Sequence, residues 1–92
     1  MKFDEAAAVR MVKGALGNKW RVICSPVTNV FDERIGRNTA GWHVEAEIGN
    51  VGPGVGDGVD VYSNRASLYD AARACVAMAR AAGIKIMGRR EP

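Results

Sequence analysis

The chain has 92 residues, of which 48% are apolar and 25% charged, with a formal net charge of +3 at pH 7. That length suits one domain with a modest core, taken here as residues 1–92, and the composition excludes a wholly disordered chain. The charge is unevenly spread: residues 1–37 carry +3, residues 38–64 carry −4 and residues 65–92 carry +4. An acidic middle between basic ends speaks to partners rather than to fold.

"FDEAAAVRMVKGALG" reads as a first helix. Asp4 and Glu5 sit where the helix dipole favours negative charge, Lys13 lies towards the end, and Gly17 is a natural stop. Ala8, Val9, Val12, Ala15 and Leu16 form one apolar stripe at helical spacing. "KWRVICS" then alternates Trp20, Val22 and Cys24 onto one face, with Ile23 an exception, and the strand is expected to end at Pro26. "VTNVF" reads as a short irregular strand, and "DERIGRNTAG" as an exposed loop, long for a hairpin connection.

"WHVEAEI" has the clearest pattern. Trp42, Val44, Ala46 and Ile48 face one way, and His43, Glu45 and Glu47 face the other, the mark of a strand with one wet face. "GNVGPGVGDGVDV" follows as a glycine-rich hairpin connection into "VDVYS", where Val59 and Val61 face in and Asp60 and Tyr62 face out. "SNRASLYDAARACVAMARAAG" is a second helix. Ser67 with Asp70 three residues on resembles a capping box; Leu68, Ala71, Ala72, Cys75, Ala79 and Ala82 form the buried stripe, closed by Gly83. "IKIMG" is a last short strand before an "RREP" tail. The expected fold is α+β: two helices packed on one face of a small, mainly antiparallel sheet of three to four strands, in the order α-β-β-β-α-β.

The chemistry these residues offer is thin. A dinucleotide fingerprint needs its third glycine correctly spaced and a helix after it; Gly52-Pro53-Gly54-Val55-Gly56 leads into a strand, and Glu45, Glu47, Asp57 and Asp60 flank it with negative charge. "GVGDGVD" is a single unit of a calcium-type repeat that works in stacked copies. His43, Glu45 and Glu47 share a strand face but spread over roughly 13 Å, too far for one ion without a bend. Cys24 and Cys75 sit in apolar patterns with no C-x-x-C, and read as buried thiols in a reducing compartment. No G-x-S-x-G surrounds Ser25, Ser63 or Ser67. The expectation is a non-enzyme with no cofactor and no metal. The opening "MKFDEAAAV" gives the further expectation of no signal peptide, no membrane span and a cytoplasmic protein.

Two resemblances follow from these segments. The run helix–strand–strand–strand–helix is similar to the double-stranded RNA-binding domain, with "SNRASLYDAARACVAMARAAG" in the place of that family's second helix and Ala71-Ala72 suiting its alanine pair. Where that family presents a lysine cluster at the helix's start this chain has only Arg65, and the family's Gly-Pro-x-His loop is absent from "VTNVFDERIGRNTAG". In size and style the chain resembles the small inhibitors made by phages and mobile elements, of which anti-CRISPR proteins are the best-known group. That resemblance implies docking on a larger host protein or nucleoprotein complex, a Cas effector among them. Two surfaces compete for such a role. One is the acidic hairpin of Glu45, Glu47, Asp57 and Asp60; the other is the basic helix face and tail of Arg65, Arg73, Arg80, Lys85, Arg89 and Arg90. The first reading is therefore a phage-type inhibitor acting by binding, and the alternative a nucleic-acid-binding module using the basic face. Exposed hairpin edges also offer a route to a homodimer.

Overall fold

A computed structural model describes residues 2–49 and 58–82. Its elements are α1 (Glu5–Leu16), β1 (Arg21–Asp32), β2 (Arg37–Ile48), β3 (Val59–Arg65) and α2 (Leu68–Ala81). The three strands form an antiparallel sheet in the order β1-β2-β3. This is the expected α+β fold in the order α-β-β-β-α; the expected final strand, Ile84–Met87, lies outside the described residues, as do positions 50–57 of the glycine segment.

Both helices begin on side-chain caps. The Asp4 carboxylate accepts from the Ala7 amide at 2.9 Å, and the Ser67 hydroxyl accepts from the Asp70 amide at 3.1 Å, each satisfying a donor that a helix start leaves free. Gly17 ends α1 with φ +128°, its amide donating to the Lys13 carbonyl. Ala8, Val12 and Leu16 of α1 meet Leu68, Ala71, Ala72, Cys75, Val76 and Ala79 of α2 and Val44, Ala46 and Val61 of the sheet in one core, so both helices lie on the same sheet face. Four of those α1 and α2 positions are fully buried alanines, which lets the helices approach closely. Three details of the expected stripes change. Val9 of α1 is half-buried and stands outside the core. Val76 is buried where Ala82, beyond the helix end, is exposed, and Val59 is 44% exposed at the start of β3.

The larger departure is in the first hairpin. The strand expected to stop at Pro26 continues to Asp32, and "VTNVF" is its continuation. Pro26 is tolerated because β1 pairs on one side only among the described strands, so its missing N–H breaks no second ladder. An extra residue on β1 between Val27 and Val30 forms a bulge. The expected ten-residue loop shrinks to Glu33–Gly36, closed by amides of Ile35 and Gly36 donating to the Asp32 carbonyl, with Gly36 at φ +69°. The hairpin therefore projects as a two-stranded arm beyond the end of β3, and it carries exposed Phe31 and Ile35 near its tip.

Gly41 marks where that arm leaves the body. A Cβ there would run into the carbonyl oxygen of Arg65 and come within 3.1 Å of the Ala66 Cα, so only glycine lets the corner between β3 and α2 pass this close.

Candidate functional site

The alternation that turns Val22, Val44, Ala46 and Val61 towards the core sends their neighbours to the opposite sheet face, on which no described element packs. Register places them in three cross-strand rows: Arg21–Glu47–Asp60, Ile23–Glu45–Tyr62 and Ser25–His43–Asn64. In the first row Arg21 Nη2 donates to Glu47 Oε1 at 2.8 Å. In the third, His43 Nδ1 lies 2.6 Å from Asn64 Oδ1, and its Nε2 reaches back along β2 to Glu45 Oε1 at 3.2 Å. The His43 and Tyr62 rings lie 5.6 Å apart, tilted by 36°. Tyr62 is 53% exposed.

The histidine's two contacts set a proton requirement. A neutral imidazole has one N–H, and both facing atoms, Asn64 Oδ1 and Glu45 Oε1, are oxygens. With the Asn64 amide turned over, its N–H donates to Nδ1 while Nε2–H donates to the Glu45 carboxylate, and every atom is satisfied. Protonated His43 donates to both oxygens with no turn. Either way both ring nitrogens are engaged. Ser25, the register neighbour of His43 on β1, therefore finds no free imidazole nitrogen to act as its base in this geometry.

Of the acidic residues singled out above, Glu45, Glu47 and Asp60 do share this face, and Asp57 lies outside the described residues. They are not a bare acidic patch, since Glu47 holds Arg21 and Glu45 holds His43. Among the described residues no three His, Cys, Asp or Glu side chains converge to hold a metal ion. Strand alternation turns His43 and Tyr62 outward but does not pair His43 with Asn64, or Arg21 with Glu47. Arg21 and Glu47 are 26 positions apart, and His43 and Asn64 are 21 apart.

The basic residues lie elsewhere. Arg73 and Arg80 are exposed on α2, and Arg65 ends β3; Lys85, Arg89 and Arg90 lie outside the described residues. The Arg73 guanidinium sits 5.6 Å from the centre of the Tyr69 ring, whose edge-on contact with Phe3 ties α2 to the start of the chain. Arg65 and Arg73 border a shallow groove with Asp70, Ala74 and Ala77. Beside it, a cleft of about 740 Å³ separates the hairpin arm from the start of α2, with Arg34 of the arm 4.0 Å from Asp70 across it. The two helices together carry Arg10, Lys13, Arg73 and Arg80 against Glu5 and Asp70. The two layers thus differ in sign: positive on the helices, negative on the bare sheet face.

Of the two thiols expected to be buried, Cys75 is buried in the core, while Cys24 is only half-buried against it. Burial pushes the Cys75 thiol up to about 11, an effect the Ala46 backbone partly offsets and Cys24 and Glu45 reinforce. Burial also raises the Cys24 thiol, with the Glu5 carboxylate adding to it. Neither is poised as a nucleophile at neutral pH.

No protein-family model, no curated protein and no solved structure matches this chain, so its candidate site rests on its own geometry.

Proposed function

We propose that the protein is a non-enzymatic binding domain that docks the bare face of its sheet on a larger protein and obstructs it, as a small inhibitor does. One observation carries this reading: the cluster of His43, Glu45, Tyr62 and Asn64, with the Arg21–Glu47 pair in the neighbouring row, on a face that no described element covers. Tyrosine and arginine dominate the energetics of protein interfaces. Side chains already held by hydrogen bonds lose less freedom when a partner arrives. The resemblance in size and style to phage-encoded inhibitors, anti-CRISPR proteins among them, supports an inhibitory outcome.

A second reading is favoured by a different observation. Arg65 and Arg73 border one groove on the helix side, and Arg80 follows one α2 face two turns on, a layout that could track phosphates. Titration of the protein against double-stranded RNA and DNA at two salt concentrations separates the two. The docking reading expects no tight binding. Tight binding that weakens steeply with salt and disappears in Arg73→Glu would contradict it and install the nucleic-acid module in its place.

A further inference from the structure

Resting on the docking reading, we infer that the bare sheet face receives a guanidinium group from a basic segment of the partner protein, with Glu45 and Tyr62 as the receiving pair. Among the described residues of the three cross-strand rows, three carboxylates, Glu45, Glu47 and Asp60, stand against one arginine, Arg21, so the rows are net negative. A polyphosphate backbone is repelled by them; a cationic protein surface is drawn to them.

The face also contains its own template for the contact. In the row Arg21–Glu47–Asp60, a β1 guanidinium lies against the central β2 carboxylate at 2.8 Å. One row along, Glu45 occupies the same central β2 position, but β1 supplies Ile23 in place of an arginine. Glu45 is bonded through Oε1 to His43, and among the described residues no cation meets its second oxygen. Its carboxylate side chain is 24% exposed, enough to be reached and shielded enough for a charged contact to count. On its other flank stands the half-exposed Tyr62 ring.

Arginine matches this arrangement better than lysine. A planar guanidinium stacks on a tyrosine ring and turns its N–H edge to a carboxylate at the same time, whereas an ammonium is a compact point charge. The His43 contacts to Asn64 and Glu45 fix the carboxylate's position, so the receiving geometry exists before the partner arrives. Ile23, on the far side of Glu45, gives the partner segment an apolar foothold.

The test uses N-acetyl-arginine N-methylamide, with its lysine and glutamate counterparts, titrated into the isotope-labelled full chain and followed by amide shifts. The inference expects saturable shifts centred on Glu45, Tyr62 and Asn64 with the arginine probe, weaker ones with lysine and none with glutamate. Glu45→Gln and Tyr62→Ala each weaken arginine binding about five-fold, the scale of one such contact, while Tyr62→Phe and Arg73→Glu leave it intact. The dispersed amide spectrum of each variant reports that it is folded. Shifts that are absent, scattered over other acids, or equal for the glutamate probe overturn the inference. A protein adduct formed in cells from a photo-cross-linker at position 62 is a separate readout. If it persists without arginine binding, the partner chemistry fails and the docking reading stands; if it too is absent, both fail.

Discussion

Glu45 of β2 stands directly opposite Tyr62 of β3, and its Oε1 lies 3.2 Å from His43 Nε2. None of these side chains belongs to the hydrophobic core, so their ordering serves the surface. Glu45→Gln and Tyr62→Ala are therefore expected to change unfolding free energy by no more than about 1 kcal/mol in urea melts. Val44, which is fully buried one position away from Glu45, gives the contrast: Val44→Ala should cost about 2–3 kcal/mol. A loss of comparable size at Glu45 would make the cluster a structural brace rather than a docking surface.

Two glycines should respond in opposite directions to the same substitution. Gly14 lies exposed within α1 and has nothing within 4 Å of an added Cβ, so Gly14→Ala is expected to raise stability by about 0.5–1 kcal/mol. At Gly41 the added methyl meets backbone atoms of Arg65 and Ala66, which cannot swing aside as a side chain can. Gly41→Ala should cost about 2–4 kcal/mol, the range for forced overpacking with backbone displacement. Thermal melts of the two variants check both signs together.

Ser63 lies on the helix-facing side of β3, is 3% exposed, and its hydroxyl has no hydrogen-bond partner among the described residues. A buried unpaired hydroxyl keeps its desolvation cost with nothing to offset it. Ser63→Ala removes that cost at the loss of one small atom, and is expected to be neutral or stabilising by about 1 kcal/mol. Clear destabilisation in a urea melt would show that the hydroxyl has a partner after all.

The thiols predict a pH dependence. The folded-state value of Cys75 is raised from 9.0 to about 11. Below pH 9 both folded and unfolded chains hold the proton, and the stabilising contribution is fully present. Between 9 and 11 the unfolded chain releases its proton first, so stability falls as pH rises, by about 3 kcal/mol in all. Comparison with Cys75→Ala isolates this term from lysine and tyrosine titrations: the variant's stability should decline less over that window. At neutral pH the native protein should leave Cys75 unmodified by iodoacetamide until denaturant is added.

Parts of this architecture were legible and parts were not, for physical reasons. The stretch Trp42–Ile48 and the stripe of α2 each have one buried and one wet side, and such elements announce their period. The hairpin arm does not. From Thr28 to Ala40 only Val30 is buried, so "VTNVF" reads as a separate short strand rather than the continuation of β1, and the early start of β2 at Arg37 leaves no pattern. Pro26 read as a terminator because an edge position cannot be told from a central one without the sheet order. For the candidate site, alternation showed which side chains turn outward but not their register. The pairing of Arg21 with Glu47 and of His43 with Asn64 depends on chain segments more than twenty residues apart.

The most direct test of the docking account places a photo-reactive amino acid at Tyr62 on the bare sheet face, and separately at Arg73 on the helix side, in the cells where the protein acts. The account predicts that irradiation yields one discrete protein adduct from position 62, reduced but not abolished when Glu45→Gln is added, and no comparable adduct from position 73. Nucleic-acid adducts from position 73 with nothing from position 62 would contradict it.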